Sequence, residues 1–124
     1  MEQKFYKCLH CGNIIAKVKD KGVPVMCCGE KMQEMIPGTV DASLEKHVPV
    51  YEINENVLTV KVGSVTHPMT EEHYIAFIAV QTDKNVLIKK LTYKDAPEAT
   101  FALLKDEKVL EVYEYCNLHG FWKA

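Results

Sequence analysis

The chain of 124 residues carries a formal net charge of -2 and no strongly basic stretch, which excludes a broad surface for nucleic acid or anionic lipid. Its first residues form no apolar leader, and no apolar run approaches the length that crosses a bilayer. We therefore expect a cytoplasmic protein with no nucleic-acid or membrane partner, whose clustered cysteines stay reduced and serve as ligands or redox groups.

Length and composition predict two domains, residues 1–37 and residues 38–124. The first is too short to bury an adequate core, and a domain of that size is usually held together by disulfides or a metal. Four of the five cysteines lie in it. The first domain is therefore predicted to be a small metal-bound module.

Short apolar runs separated by turn residues indicate an all-β protein. In the first domain, residues 13–18 and 23–26 flank a turn sequence at residues 19–22 and predict a β-hairpin that brings the cysteine pairs together. In the second domain, strands are predicted at residues 48–53, 58–62, 74–80, 86–91, 100–104 and 109–115. Residues 74–80 would also fit a short buried helix, but β-branched content favours a strand. No segment has convincing helical periodicity, so we expect an immunoglobulin-like antiparallel β-sandwich.

The first cluster of candidate ligands consists of Cys8, Cys11, Cys27 and Cys28. Two cysteines separated by two residues can direct both thiolates at one tetrahedral metal. The second pair is adjacent, so both members can bind one ion only in a distorted turn, for which Gly29 offers the conformational freedom. Four thiolates suit zinc and iron alike, which leaves a structural zinc ribbon open, and a disulfide between the adjacent cysteines is a further alternative.

The second cluster combines one cysteine with histidines that lie in predicted loops or at strand ends. It consists of His47, His67, His73, Cys116 and His119. Five such ligands exceed the shell of a structural zinc site and suit a redox metal, so iron is the first choice. A blue-copper site is the alternative, but it usually adds a methionine shortly after the last histidine. The residues that follow His119 include none.

The order and spacing of these residues resemble the desulfoferrodoxin family of two-iron superoxide reductases over nearly the whole chain. The pair Cys8-x-x-Cys11 with Cys27-Cys28 resembles a desulforedoxin module. The remaining motifs are Glu45-Lys46-His47-x-Pro49, His67-Pro68-Met69-x-x-x-His73-Tyr74-Ile75 and Cys116-Asn117-x-His119-Gly120-x-Trp122. The resemblance implies one iron in a distorted tetrahedron of the four N-terminal cysteines. It implies a second iron with four imidazoles in a plane, Cys116 axial and the sixth position open.

By this resemblance the chain would be an enzyme that reduces superoxide to hydrogen peroxide. Lys46 would attract the anion and hold a proton-donating water, and Glu45 would bind the ferric iron once the product has left. A rubredoxin-like carrier would supply electrons, and the chain would form a homodimer. The alternative from another functional class is a pure electron-transfer or metal-binding protein in which both sites are coordinatively closed.

Overall fold

The structure is a computed structural model that describes residues 2–38 and 42–124. The chain divides into two compact units, Met1–Ile36 and Pro37–Ala124. Nearly all the regular structure in the described residues is strand, which confirms the all-β prediction. No helix in those ranges is both long and apolar enough to span a membrane.

The first unit contains five short strands. They are β1 (Phe5–Lys7), β2 (Ile14–Ala16), β3 (Met26–Cys27), β4 (Glu30–Lys31) and β5 (Gln33–Glu34). Strand β1 lies at the centre of a three-stranded antiparallel sheet in the order β2-β1-β5, and β3 and β4 form a separate hairpin. Buried apolar side chains in this unit are Phe5, Cys8 and Met32. A core this small is typical of modules that need a metal or disulfides for stability.

The hairpin predicted between residues 13–18 and 23–26 is wrong. Strand β2 pairs with β1, where Tyr6 lies opposite Ile15, so the true partner is a segment that the sequence analysis left without structure. Pro24 lacks the backbone N–H that a paired strand needs, which weakens 23–26 as a strand. Burial of Phe5, only 2 % exposed, favours the pairing that is observed.

The second unit contains one short helix and seven strands. They are α1 (Leu44–His47), β6 (Pro49–Asn54), β7 (Val57–Val62), β8 (Ile75–Thr82), β9 (Val86–Lys90), β10 (Glu98–Ala102), β11 (Val109–Cys116) and β12 (Gly120–Lys123). Two antiparallel sheets form, in the orders β10-β7-β6 and β12-β11-β8-β9. Helix α1 and strand β12 were not predicted, since four residues are too few to show a period.

The core lies between these two sheets. Alternate residues of β7, among them Leu58 and Val60, are fully buried against Ile78, Val80 and other residues of the facing sheet. Strand β11 has register shifts near both ends, the second of which places Cys116 opposite Ile75. Its uneven alternation in the sequence follows from these bulges.

Candidate metal centres

The sulfur atoms of Cys8, Cys11, Cys27 and Cys28 all lie within 4.8 Å of one another. The first pair sits on a tight turn in which the N–H of Gly12 donates to the carbonyl of Cys8 at 3.0 Å. The backbone N–H of Cys11 also donates to the sulfur of Cys8 at 3.5 Å. The turn therefore directs both sulfurs of this pair to one point.

The adjacent second pair is accommodated by the hairpin of β3 and β4. Cys27 ends β3 and pairs with Glu30, which leaves Cys28 and Gly29 as the two residues of the turn. Both have left-handed backbones, with φ of 52° for Cys28 and 77° for Gly29. Two successive residues with positive φ match the twist of a tight hairpin, so the distortion expected from the sequence is this turn.

The sulfur atoms of this cluster lie within hydrogen-bonding distance of one another, with those of Cys11 and Cys27 3.6 Å apart. Backbone N–H donation from Cys11 lowers the pKa of Cys8 to about 6, whereas hydrogen bonding to Cys11 and then to Cys8 raises the pKa of Cys28 to about 12. All four are free cysteines, so the alternative disulfide is absent from these residues. Four convergent thiols fit a tetrahedral zinc or iron ion, which would displace the protons of the thiols on binding.

In the second unit, the rings of His47 and His67 are each oriented by a hydrogen bond from Nδ1 to a backbone carbonyl. The Nδ1–H of His47 donates to the carbonyl of Ser43 at 2.7 Å. That of His67 donates to the carbonyl of Pro68, also at 2.7 Å. In the neutral rings this leaves both Nε2 atoms with lone pairs, and these atoms lie 3.3 Å apart. The sequence did not indicate which nitrogen would be used.

The other two histidines approach the same point. Nε2 of His73 is buried and has no hydrogen-bond partner. His119 approaches with Nδ1, which lies 3.1 Å from Nε2 of His47 and 3.9 Å from the sulfur of Cys116. Trp122 donates its indole N–H to the carbonyl of His119 at 2.9 Å and stacks on the ring of His47.

Cys116 is fully buried at the end of β11. Burial raises the pKa of its thiol, while backbone N–H groups of His119 and Leu118 donate to the sulfur and oppose that rise. Burial also lowers the pKa of His47 and His73, so these imidazoles are neutral near pH 7. Neutral imidazole and a thiolate that accepts backbone N–H groups are the forms in which these side chains bind metals.

The donor set fits a transition-metal ion. Four of the residues, His47, His67, His73 and Cys116, have donor atoms within 4.8 Å of one another. Facing lone pairs repel each other unless a cation lies between them, and the buried, unpartnered Nε2 of His73 needs one as well. A mixed set of imidazole nitrogens and one sulfur suits iron or copper.

Glu45 and Lys46 lie on α1, directly before His47, and both side chains are exposed. The positive charge of Lys46 adds to burial in lowering the pKa of His47 and His73, which places that charge near the imidazoles. The backbone carbonyl of Glu45 accepts the N–H of Val65 at 2.9 Å. Neither side chain belongs to the cluster of convergent donor atoms.

The chain is similar in sequence to proteins of known family. A family model described as desulfoferrodoxin matches residues 39–124. A desulfoferrodoxin of Nitratidesulfovibrio vulgaris is 48% identical over 99% of this chain and 96% of its own length. A desulfoferrodoxin homologue of Archaeoglobus fulgidus is 44% identical over 96% of this chain and 94% of its own.

Solved structures are similar as well. The superoxide reductase of Treponema pallidum superposes with a TM-score of 0.85 and 44% sequence identity, covering 100% of this chain and 99% of that one. A one-iron superoxide reductase of Giardia intestinalis gives a TM-score of 0.56 and 34% identity, covering 64% of this chain and 95% of that one.

Proposed function

The chain belongs to the desulfoferrodoxin family, and we propose that it is a superoxide reductase. The reaction adds one electron and two protons to superoxide and yields hydrogen peroxide. The convergence of four imidazoles and one buried thiol on a single point of the second unit carries the proposal. Iron bound there would supply the electron and an open coordination position for the anion.

The residues around this point each have a defined task. The carbonyls of Ser43 and Pro68 hold their histidines in the tautomer that presents Nε2. The backbone N–H groups of Leu118 and His119 donate to the sulfur of Cys116, which stabilises a thiolate in a buried position. The chain thus provides a rigid, uncharged imidazole set and one anionic ligand.

Lys46 would draw superoxide to the site. It is exposed, yet its charge acts on His47 and His73, so it lies where an incoming anion would experience it. It would also hold a water that donates a proton to the distal oxygen. We propose that Glu45, its neighbour on α1, would supply a carboxylate ligand to iron held at this site.

We propose that the four-cysteine site is not required for the chemistry at the second site, and that it relays electrons or stabilises the first unit. Iron is the metal we propose there, with zinc as the other candidate for four thiolates. A rubredoxin-like carrier would be the external donor. We further propose that the chain forms a homodimer and that it is cytoplasmic. The five free cysteines support only the second of these proposals, because disulfides are rare in the cytosol.

The test is rapid mixing of the reduced, iron-loaded protein with a pulse of superoxide. We expect near-stoichiometric oxidation to a ferric-thiolate chromophore, with peroxide formed and no dioxygen released. His119→Ala should abolish this reaction. Lys46→Ala should slow it and weaken its dependence on ionic strength, while Lys89→Ala removes an exposed lysine of β9 as a matched control.

Two results would contradict the proposal. Release of dioxygen would indicate dismutation rather than reduction. A protein whose iron ignores superoxide, and whose visible spectrum does not change with azide, would have a closed site, and the electron-transfer alternative would then replace the enzyme.

A further inference from the structure

In the second unit, Asn117 connects the loop that carries His73 to the end of β11, where Cys116 lies. Its side-chain oxygen accepts the backbone N–H of Tyr74 at 2.8 Å, and its side-chain amide donates to the carbonyl of Glu72 at 2.9 Å. Its own backbone N–H donates to the carbonyl of Tyr74 at 3.1 Å. All three bonds end on the immediate neighbours of His73, and Asn117 itself directly follows Cys116.

The side chain at this position must both accept and donate. The N–H of Tyr74 needs an acceptor and the carbonyl of Glu72 needs a donor, so only one orientation of the Asn117 amide satisfies both. Aspartate would keep the acceptor but place a second oxygen against the carbonyl of Glu72. Alanine would leave both groups without this partner.

His73 depends on such anchors more than the other histidines do. The rings of His47 and His67 are held by Nδ1 donation to carbonyls, whereas the buried Nε2 of His73 has no hydrogen-bond partner among the described residues. Its backbone N–H donates to Thr70 instead, at 3.1 Å to the hydroxyl. The position of the His73 ring is therefore set by its backbone, and Asn117 holds that backbone on both sides.

We propose that Asn117 is a positioning residue that fixes His73 against Cys116 in the second metal site. It does so without contacting the metal or the substrate, because its polar atoms are engaged with Glu72 and Tyr74. The inference deepens the proposed function and rests on it only in requiring a metal ion at that site.

The test measures how well the full-length, iron-loaded protein retains iron in competition with a chelator. The thiolate absorption of the second site monitors the loss of iron. Asn117→Ala should lower the affinity by about 10- to 100-fold, as removal of groups that orient metal ligands usually does. Asn117→Asp should give an intermediate loss, because one anchor remains. Asn85→Ala is the matched control, since Asn85 donates to Glu107 in the turn at the opposite end of β8.

A double-mutant cycle with His73→Ala separates positioning from general destabilisation. If Asn117 acts through His73, adding Asn117→Ala to His73→Ala should lower the affinity no further. Fully additive losses, or wild-type affinity and spectrum in Asn117→Ala, would overturn the proposal. If Asn117→Ala does not fold, Asn117→Asp decides in the same cycle. If the iron binds normally but does not react with superoxide, the proposed function is wrong. The affinities of the Asn117 variants would still test the positioning role.

Discussion

A Cβ atom at Gly63 would lie 2.8 Å from the Cα atom of Lys46. That Cβ atom would also lie 2.7 Å from the carbonyl oxygen of Glu45 and would overlap the carbonyl oxygen of Val65. Gly63 follows the last residue of β7 and has a φ of 83°. The missing side chain thus allows the end of this strand to pack directly against the helix that carries His47.

Gly63→Ala is therefore expected to displace α1. Backbone atoms at these distances cannot move aside cheaply, so the turn bearing Lys46 and His47 must shift. We expect second-site iron affinity to fall by about tenfold or more, as for other changes that misplace ligands. Chelator competition measures it.

Gly38→Ala provides the control for backbone strain. Gly38 has a φ of 72°, but a Cβ there would meet nothing within 4 Å. This variant should lose only about 1 to 2 kcal/mol of stability from the left-handed backbone and should keep its iron affinity. Equal loss of affinity in both variants would mean that strain, rather than contact with α1, is responsible.

The sequence was sufficient to predict which residues form the two ligand clusters. It was not sufficient to predict the contacts that orient those ligands. Cysteine spacing and the mixed histidine motif are local signals, so they can be read directly. The choice of Nε2 in His47 depends on the carbonyl of Ser43, and the fit of α1 depends on Gly63, which comes from a distant strand end. Contacts of this kind leave no periodic trace in the sequence.

Strand pairing shows the same limit. The run at Ile14–Ala16 reads correctly as a strand, but its partner was misassigned because proximity along the chain favoured a hairpin. The actual partner, Phe5–Lys7, is identified by the burial of Phe5, a tertiary effect. In the second unit, longer alternating runs with short turns place most of the strands within a few residues of those observed.

Metal removal should unfold the first unit and spare the second. The first unit has a very small buried core, so we expect its stability to depend on a metal ion held by the four cysteines of its two turns. Cys28→Ser should therefore abolish dispersion of the amide NMR signals of residues 2–36 without affecting those of the sandwich. Retention of dispersed signals in the metal-free protein would contradict this dependence.

Glu107 should contribute to the loss of stability in acid. Hydrogen bonds from the Thr82 hydroxyl first, then from the N–H of Leu104 and the amide of Asn85, lower the pKa of its carboxyl. A lowered folded pKa gives stability that is present above the unfolded value of about 4.3 and is lost as pH falls through the folded value.

Urea titrations from pH 6 down to pH 3 can measure this effect. Glu107→Gln should be less stable than the wild type near pH 6 and should show a shallower decline in acid. Thr82→Val removes the principal hydrogen-bond donor to Glu107. It should reduce the loss of stability in acid by less than Glu107→Gln does. Parallel acid limbs for the wild type and Glu107→Gln would show that this carboxyl does not contribute.

Glu114 is a polar residue in an unfavourable, buried position of the second unit. Its side chain is fully buried on β11, and neither carboxyl oxygen has a hydrogen-bond partner. Burial raises its pKa to about 9, so the acid is protonated at neutral pH. A buried polar group without a partner costs about 1 to 3 kcal/mol.

Glu114→Met keeps the approximate volume and removes the unsatisfied oxygens. We expect the metal-free variant to gain about 1 to 3 kcal/mol in free energy of unfolding, while Glu114→Gln, which keeps a buried polar end, should gain little. Fluorescence of Trp122, the single tryptophan, reports unfolding of this unit in urea. If methionine destabilises the protein and glutamine does not, the carboxyl must have a polar partner, such as a buried water, that both polar side chains can use.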